Sequence, residues 1–438
     1  MPRPDAEVRP PAARYEPDVA AAPEKPPSYR WTICALLFVA TTINYIDRQV
    51  LGILAPTLQR ELAWSESDYG DIVSWFSFAY AFGFLVAGRL MDWIGVRRGL
   101  AGAVVAWSLA GIAHALARSA AGFSWARAAL GVGESAIFPG SVKTVAQWFP
   151  QRERALATGI FNAGTNTGAI LTPLLVPWIA LTWGWQWAFI ATGLLGFLWL
   201  GLWIPLYRDP PPDAPSGAPS GPQSGPQLAP WLSLFRYRQT WAFIAGKLLA
   251  DPIWWFYLYW LPKFLDSKYD VQLAKLAAPL IVIYLIADVG SVGGGWLSSW
   301  LIKRGWSVNR ARKTVMLAMA ILIVPTTLAS QTPSMWAAVV IVGVAAAAHQ
   351  AWSANVYTLA SDMFPRSAVG SVVGIGAFAG AMGGVAFQRM TGRVLQANGS
   401  DYTPIFVVCG LAYVTAWTII HVLAPRLEPV RLATGETR

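Results

Sequence analysis

The feature of this sequence that most limits its fold is a series of long apolar segments separated by short polar loops. A segment of about 20 apolar residues crosses the roughly 30 Å hydrocarbon core of a bilayer as one α-helix. Only 13% of the residues are charged and the mean hydropathy is +0.44, which is too apolar for a water-soluble protein of 438 residues. We predict an all-α membrane protein with twelve transmembrane helices, at 31–54, 72–92, 100–118, 122–147, 155–180, 186–207, 239–264, 275–302, 312–331, 335–360, 368–391 and 402–424.

Two polar tracts divide the chain. Residues 1–30 are rich in Pro and Ala, and we expect a disordered cytoplasmic N-terminus without a cleaved signal peptide. Residues 208–238 contain "PPPDAPSGAPSGPQSGPQ", which is typical of a flexible linker. The predicted domains are therefore an N-terminal six-helix bundle at 31–207 and a C-terminal six-helix bundle at 239–424, followed by a cytoplasmic tail at 425–438.

The two halves share an internal repeat. "WFPQRERALATGI" from residue 148 matches "MFPRSAVGSVVGI" from residue 363, and "GRLMDW" from residue 88 matches "GWLSSW" from residue 295. Duplicated six-helix halves are typical of transporters that bind their substrate near the membrane midplane, between the halves. The repeat therefore predicts a central cavity.

Positive charge is distributed unevenly between the two sides of the predicted membrane protein. Because cytoplasmic loops are enriched in Lys and Arg, we place both termini in the cytoplasm of a multi-pass protein of the bacterial inner membrane. The basic residues behind the net charge of +10 lie in these short loops, so they set the orientation of the protein in the membrane and do not indicate a nucleic acid partner. The cytoplasmic loops then include Arg97, Arg98, Arg152, Arg154, Arg304, Arg310 and Arg312, and the outer loops hold Arg60, Arg118, Lys263, Lys268 and Arg393.

Four ionisable residues lie inside predicted spans: Asp47 and Arg48 in the first, and Arg127 and Glu134 in the fourth. A charge at the centre of a transmembrane helix costs roughly 2.5–3.5 kcal/mol, so such residues persist mainly where they face a cavity or a partner. Arg127 and Glu134 are separated by nearly two turns, which puts them on one helix face about 10 Å apart. We predict that all four face the central cavity. The alternative is that they neutralise one another and only fix helix packing.

The chemistry of these four residues suggests an anionic substrate. The planar guanidinium of arginine donates two parallel hydrogen bonds to a carboxylate, so we assign Arg48 and Arg127 to a substrate carboxylate. Burial favours the neutral form of a carboxylic acid, and a nearby arginine favours the charged form. Asp47 and Glu134 could therefore exchange a proton as substrate enters and leaves, and they are the candidate proton-coupling residues.

Further candidates lie on the fifth and seventh spans. Asn162 and Asn166 are one turn apart, and their amides can both donate to and accept from sugar hydroxyls. Lys247 is a candidate for the substrate, although it can instead pair with Asp251 one turn later. Trp255 can stack on a sugar ring or simply contact lipid.

The tenth and eighth spans supply the remaining candidates. His349, Gln350 and Asn355 are polar groups able to bind hydroxyls, although a lone histidine is more often a packing residue. Asp288 lies near "GSVGGG", where small residues let helices approach closely, so we interpret it as a packing or gating residue. Arg389 ends the eleventh span and is interpreted as a residue that snorkels outward.

Several motifs resemble a known family. "GRLMDWIGVRR" from residue 88 resembles the loop motif of the major facilitator superfamily, and "RAALGVGESAIFPG" from residue 127 resembles its fourth-helix signature. Together with "WFPQRERALATGIFNAGTNTGAI", these motifs resemble the anion:cation symporter family. "GKLLADPIWWFYLYWLPKFL" from residue 246 and "AHQAWSANVYTLASDMFPR" from residue 348 are most similar to bacterial hexuronate transporters. The resemblance covers about residues 31 to 424.

The resemblance implies roles for individual residues. Asp47 and Glu134 match the proton sites of galactonate-like carriers, and Arg48 and Arg127 match arginines that bind the anion in vesicular relatives. The resemblance further implies that Tyr45 and Tyr80 belong to the binding site, and that a gating latch on the cytoplasmic side includes Gly88, Asp92, Arg97 and Arg98.

The sequence thus predicts a secondary active transporter that takes up a sugar acid with protons by alternating access, with a hexuronate such as glucuronate or galacturonate as the substrate. The alternatives are a carrier for galactonate, glucarate or galactarate, and a proton-coupled drug exporter. An exporter should have an export signature in its fifth helix and a more apolar cavity, whereas the fifth span here is rich in Asn and Thr. No HExxH, GxSxG or phosphate-loop motif suggests an enzyme. Cys34 and Cys409 lie far apart and suggest no metal site. We expect a monomer with protons as the coupling ion and no cofactor.

Overall fold

The computed structural model describes residues 29–149, 151–208, 231–364, 366–428 and 430, and within them the chain is α-helical with no strand. The first half contains α1 (Tyr29–Leu62), α2 (Glu66–Ile94), α3 (Val96–Ala113), α4 (Ala120–Glu134), α5 (Ile137–Trp148), α6 (Gln151–Trp183) and α7 (Trp185–Leu206). After the short α8 (Trp231–Leu234), the second half contains α9 (Arg238–Tyr269), α10 (Ala277–Lys303), α11 (Val308–Ile323), α12 (Met335–Met363), α13 (Arg366–Ala397) and α14 (Thr403–Leu423).

Each predicted span corresponds to one of these helices, except that the fourth, at 122–147, comprises both α4 and α5, and α8 lies in the predicted linker. The helix is interrupted directly after Glu134. Pro139, in the first turn of α5, has no N–H to donate to the carbonyl of Ser135, and its ring crowds that carbonyl, so the helical ladder does not run through this point. Two short helices therefore form the fourth span, and Glu134 lies at the junction between them.

Eight helices in the described part of the chain are apolar and long enough to cross a bilayer. They are α2, α3, α7, α10, α11, α12, α13 and α14. The spans outside this group are α1, α4 with α5, α6 and α9, and these contain Asp47, Arg48, Arg127, Glu134, Asn162, Asn166 and Lys247. Other polar candidates lie in helices of the apolar group, Asp288 in α10 and Gln350 and Asn355 in α12.

The two halves meet along three helix pairs, α2 with α13, α1 with α9 and α6 with α10. The closest approach is between α2 and α13, where a Cβ atom on Gly70 would lie 2.7 Å from the carbonyl oxygen of Gln388 and 3.1 Å from Cα of Gly392. Only glycine permits this backbone contact, which is a common device at interfaces between transmembrane helices.

Charged contacts between the halves lie at the end of the molecule where α1 ends and α2 begins, which we call the closed end. Lys263 of α9 forms an ion pair with Glu66 of α2. Nε of Arg389 in α13 lies 3.0 Å from Oδ1 of Asp71 in α2, and the hydroxyl of Tyr69 donates to a carbonyl of α9 at 2.5 Å. The pairing of Arg389 with Asp71 replaces the snorkelling expected from the sequence, because Asp71 lies on the other half and no sequence spacing connects the two.

The polar tracts beside and between the two predicted bundles lie mostly outside the residues that the structure describes. Of the N-terminal tract at 1–30 only residues 29 and 30 are described, and of the linker at 208–238 only residue 208 and residues 231–238. The tail at 425–438 is described over 425–428 and 430. The boundaries of the two bundles stay predictions.

Candidate functional site

A cavity of about 300 Å³ lies between the two halves. Its wall is formed by α1, α2, α5 and α6 from the first half and by α9, α10, α12 and α13 from the second. The predicted site residues in this wall are Tyr45, Arg48, Tyr80, Asn162, Asn166, Lys247, Trp255, His349 and Gln350. The wall does not include Asp47, Arg127, Glu134 or Asn355, which lie behind it.

Arg48 is the cationic group that the first half contributes to the cavity. Its Nε and Nη2 atoms lie 2.9 Å and 2.8 Å from Oε2 of Glu134, and Nη2 also donates to the side chain of Asn44 at 3.3 Å. The guanidinium carbon is within 6 Å of four aromatic rings, those of Tyr45, Phe76, Tyr80 and Trp255. Aromatic faces attract cations and hold a flat guanidinium in a fixed orientation.

Glu134 lies directly behind Arg48 and is fully buried, with a side-chain exposure of 0% against 6% for Arg48. Its second oxygen, Oε1, has no hydrogen-bond partner among the described residues. A buried carboxylate that loses the cation with which it is paired would be strongly destabilised. The charge of Glu134 therefore depends on Arg48, and any ligand that draws Arg48 away changes the environment of this acid.

Asp47 and Arg127 are buried beside the cavity without lining it. Arg127 donates from Nη2 to the backbone carbonyl of Arg48 at 2.9 Å, so it braces α1 at the residue that faces the cavity. The carboxylate of Asp47 lies beside Gly111 of α3, and neither of its oxygens accepts a hydrogen bond from a described residue. In this conformation neither residue can touch a ligand in the cavity, and their predicted roles remain untested.

A second charged cluster faces the cavity from the other half. Nζ of Lys247 lies 2.8 Å from Oδ2 of Asp251 on the same helix, and it donates to the hydroxyl of Tyr357 in α12 at 2.9 Å. The pairing of Lys247 with Asp251 was the open alternative in the sequence, and the structure contains that pair. Lys247 also lines the cavity, so pairing and a place at the site are compatible.

His349 is both packed and polar. Its ring stacks on Trp254 with centroids 5.2 Å apart, and Nδ1 lies 2.5 Å from the hydroxyl of Tyr413. Because that hydroxyl donates to the carbonyl of Ala250 at 3.2 Å, it accepts a hydrogen bond from the Nδ1–H group of the histidine. This network assigns the hydrogen to Nδ1 and leaves Nε2 of the neutral ring as an acceptor. A sugar hydroxyl is a suitable hydrogen-bond donor to Nε2 of His349.

Of the four candidate amides in α6 and α12, three line the cavity and Asn355 does not. Asn162 and Asn166 line the cavity, as does Gln350. Asn355 instead donates to the carbonyls of Ala351 at 2.9 Å and Gly294 at 3.3 Å, so it joins α12 to α10 outside the cavity wall.

Three of the predicted gating residues have described side chains, Asp288, Arg97 and Arg98, and these three do not line the cavity. Asp288 of α10 has a buried oxygen without a partner among the described residues, and it lies beside Asn166 of α6. Arg97 is exposed and donates to the carbonyl of Ile204 at 2.7 Å, within its own half, and Arg98 is exposed. Gly88 and Asp92 lie in α2, but their side chains fall outside the described residues. The predicted latch therefore stays a prediction.

Sequence reasoning missed several residues of the wall. Ser353 and Tyr357 of α12 line the cavity, and they follow Gln350 at intervals of three and four residues, which place all three on one helix face. This periodicity was available in the sequence. Ser291 also lines the wall, and it has no comparable signal because it adjoins other small residues.

Two helical halves that enclose a polar cavity, with charged contacts at one end, define a secondary membrane transporter. The chain belongs to the Major Facilitator Superfamily, whose family model matches residues 37–388. The fold class and the family predicted from the sequence motifs are thereby confirmed, and the members of this family are transporters, not enzymes.

Individual proteins resemble the chain over most of its length. The hexuronate transporter of Escherichia coli (strain K12) is 31% identical over 409 residues, which cover 90% of this chain and 94% of that protein. The galacturonate transporter of Dickeya chrysanthemi is 32% identical over 309 residues, covering 67% of this chain and 89% of that protein. Among solved structures, the xylose transporter of E. coli in an inward open conformation superimposes with a TM-score of 0.71 at 16% identity, over 93% of this chain and 98% of that one.

Proposed function

We propose that this protein carries a hexuronate such as glucuronate or galacturonate into the cell together with a proton. The observation that carries the proposal is the ion pair between Arg48 and Glu134 at the cavity wall. A carboxylate ligand and Glu134 compete for the same guanidinium. When Glu134 takes up a proton, Arg48 is released to bind the substrate carboxylate, so one proton and one anion bind together.

The rest of the cavity suits a polyhydroxylated acid. The amides of Asn162, Asn166 and Gln350 can exchange hydrogen bonds with hydroxyls, and Trp255 offers an aromatic face to a sugar ring. The names of the relatives from E. coli and D. chrysanthemi agree with this chemistry. A drug exporter, the other candidate from the sequence, would be expected to have a more apolar wall.

We further propose that the closed end faces the periplasm and that both termini are cytoplasmic. The loops opposite the closed end include the Arg-rich stretches after α2 and after α10, and such loops are retained on the cytoplasmic side. The conformation described here is then inward-facing, and transport requires the charged contacts at the closed end to separate as the halves rock.

Uptake of radiolabelled glucuronate into proteoliposomes tests the coupling. With an inward proton gradient we expect the internal concentration to rise above the external one, because each anion enters with a proton. A protonophore should abolish the accumulation, and an inward sodium gradient at equal pH should not replace it. Glucuronate binding without any response of uptake to the pH gradient would contradict proton coupling.

Breaking the ion pair at the closed end should shift the protein toward the outward-facing state. In Lys263→Met, the partly buried Glu66 loses its cation, so separation of the halves at this end becomes easier. Spin labels at the exposed positions Ala121 and Ala397, on opposite halves, should report a larger population of long distances. The double variant Lys263→Glu with Glu66→Lys should restore the short distance.

An unchanged distance distribution in Lys263→Met would show that this ion pair does not hold the closed end together. Lys268→Met is the matched control, because Lys268 is exposed near the end of the same helix. That control should leave the distances as they are.

A further inference from the structure

The charged cluster in the second half differs from Arg48 in what it presents to the cavity. Within the pair, the side chain of Lys247 is only 4% exposed and that of Asp251 is 19% exposed. The ammonium already has two partners, the carboxylate of Asp251 and the hydroxyl of Tyr357. Both members of the pair line the cavity, so the more accessible group of the two is the carboxylate.

The position of Asp251 is set by a neighbouring helix. A Cβ atom on Gly380 of α13 would lie 2.3 Å from Oδ2 of Asp251, so only glycine there leaves room for the carboxylate. One turn earlier, Gly376 makes similar room for the stem of Lys247, with Cγ 3.2 Å from an added Cβ. The pair is therefore held between α9, α12 and α13 and has little freedom to rotate away from the cavity.

We propose that Asp251 is a specificity residue that restricts the cavity to sugar acids with one carboxylate, a proposal that rests on the sugar-acid transport proposed above. Arg48 binds the single carboxylate. At the opposite wall Asp251 accepts hydrogen bonds from the sugar hydroxyls. It repels a second carboxylate, because it cancels the charge of Lys247 and is the more accessible member of the pair. Like charges placed opposite each other are a general means of rejecting a wrong ligand.

Removing the negative charge of Asp251 should shift the selectivity of the cavity toward acids with two carboxylates. In Asp251→Asn the side chain keeps its size, while Lys247 becomes an uncompensated cation facing the cavity. The probes are glucuronate, with one carboxylate, and galactarate, a six-carbon sugar acid with a carboxylate at each end. We expect the affinity ratio of galactarate to glucuronate to rise on the order of tenfold or more in this variant, measured by isothermal titration calorimetry on the purified full-length protein.

Two further variants identify the cause. The double variant Lys247→Met with Asp251→Asn should lose the gain for galactarate, because no free cation remains. Asp251→Glu keeps the charge and should still reject galactarate.

The control variant is Asp401→Asn, which removes one charge in the loop before α14 and should leave the affinity ratio of galactarate to glucuronate unchanged. Thermal unfolding of each variant shows whether it is folded.

The outcomes separate this proposal from the proposed function. If the unmodified protein binds glucuronate and galactarate equally well, or if Asp251→Asn is folded and leaves the ratio unchanged, Asp251 is not the selective group, and hexuronate transport stands. If the unmodified protein binds neither acid but Asp251→Asn gains galactarate, the charge argument holds and the proposed substrate is wrong. Failure of both proteins to bind either acid overturns both proposals.

Discussion

Replacing Arg48 by Lys is expected to lower the affinity for glucuronate by about tenfold to a hundredfold. A hydrogen bond to a charged group contributes roughly 1.5–3 kcal/mol, and 1.4 kcal/mol corresponds to a factor of ten in affinity. Lysine keeps the positive charge but lacks the second parallel donor, so it can satisfy either Glu134 or the ligand less well than arginine does. The measurement is calorimetric titration of the purified protein with glucuronate.

The rings around Arg48 give a second reason for a large effect. The guanidinium carbon lies 4.8 Å from the ring centre of Tyr45 and 4.9 Å from that of Tyr80. A flat cation packs against such rings in a defined orientation, whereas an ammonium on a flexible stem does not. The binding geometry is thus prepared before the ligand arrives.

Arg60→Lys is the matched control for this experiment. Arg60 lies near the end of the same helix, its side chain is 67% exposed, and it lies 3.9 Å from Asp266 at the closed end. Exposed ion pairs contribute little, so the control should bind glucuronate as the unmodified protein does. Equal affinity in Arg48→Lys and Arg60→Lys would remove Arg48 from the binding site.

The helices of this fold follow from the sequence because the bilayer imposes one strong rule. A transmembrane segment must satisfy its own backbone hydrogen bonds, so apolar stretches of sufficient length become helices. The break after Glu134 was not predicted, although Pro139, which cannot donate to the carbonyl of Ser135, is visible in the sequence. Hydropathy averages over many residues and does not register a single proline.

The residues around the cavity were partly predictable for a different reason. An ionisable side chain inside the membrane needs a partner or water, so Arg48 and Lys247 were identifiable as candidates from their positions alone. The sequence did not indicate which of the intramembrane charges would line the cavity. Arg127 carries the same charge on a facing helix, yet it bonds to the backbone of Arg48 behind the wall. The difference depends on helix rotation, which tertiary packing sets.

Contacts between the halves were the least predictable part. The pairs between Asp71 and Arg389 and between Glu66 and Lys263 join residues far apart in the chain, and each residue alone resembles an ordinary charge near a membrane surface. The conformation in which such pairs form is one of at least two that a transporter visits. A sequence encodes all of those conformations at once, so it does not indicate which contacts exist in a given one.

Replacing Glu134 by Gln is expected to abolish proton-driven accumulation of glucuronate while exchange of internal for external glucuronate continues. Glutamine has the size of the protonated acid and cannot titrate, so Arg48 is permanently available to the ligand. In proteoliposomes with an inward proton gradient, the ratio of internal to external glucuronate should fall to about one, the equilibrium value for a carrier without a driving force. Counterflow measured at equal pH on both sides should persist.

The pH dependence of binding provides an independent readout of the same variant. Glucuronate affinity of the unmodified protein should increase as the pH falls, because protonation of Glu134 releases Arg48 from the ion pair between them. The affinity of Glu134→Gln should not vary with pH if Glu134 alone carries the proton. A remaining dependence that disappears only when Asp47→Asn is added would assign the proton to both acids.

Glu61→Gln is the matched control, since Glu61 lies at the exposed end of α1 and accepts a hydrogen bond from Trp185, which glutamine can also accept. It should keep both accumulation and the pH dependence of binding. If Glu134→Gln still accumulates glucuronate against a gradient, then the ion pair at the cavity wall is a packing contact and the coupling proton binds elsewhere. If it loses both exchange and accumulation while remaining folded, then Arg48 needs a charged partner to hold its orientation, and the competition between Glu134 and the ligand is not the coupling step.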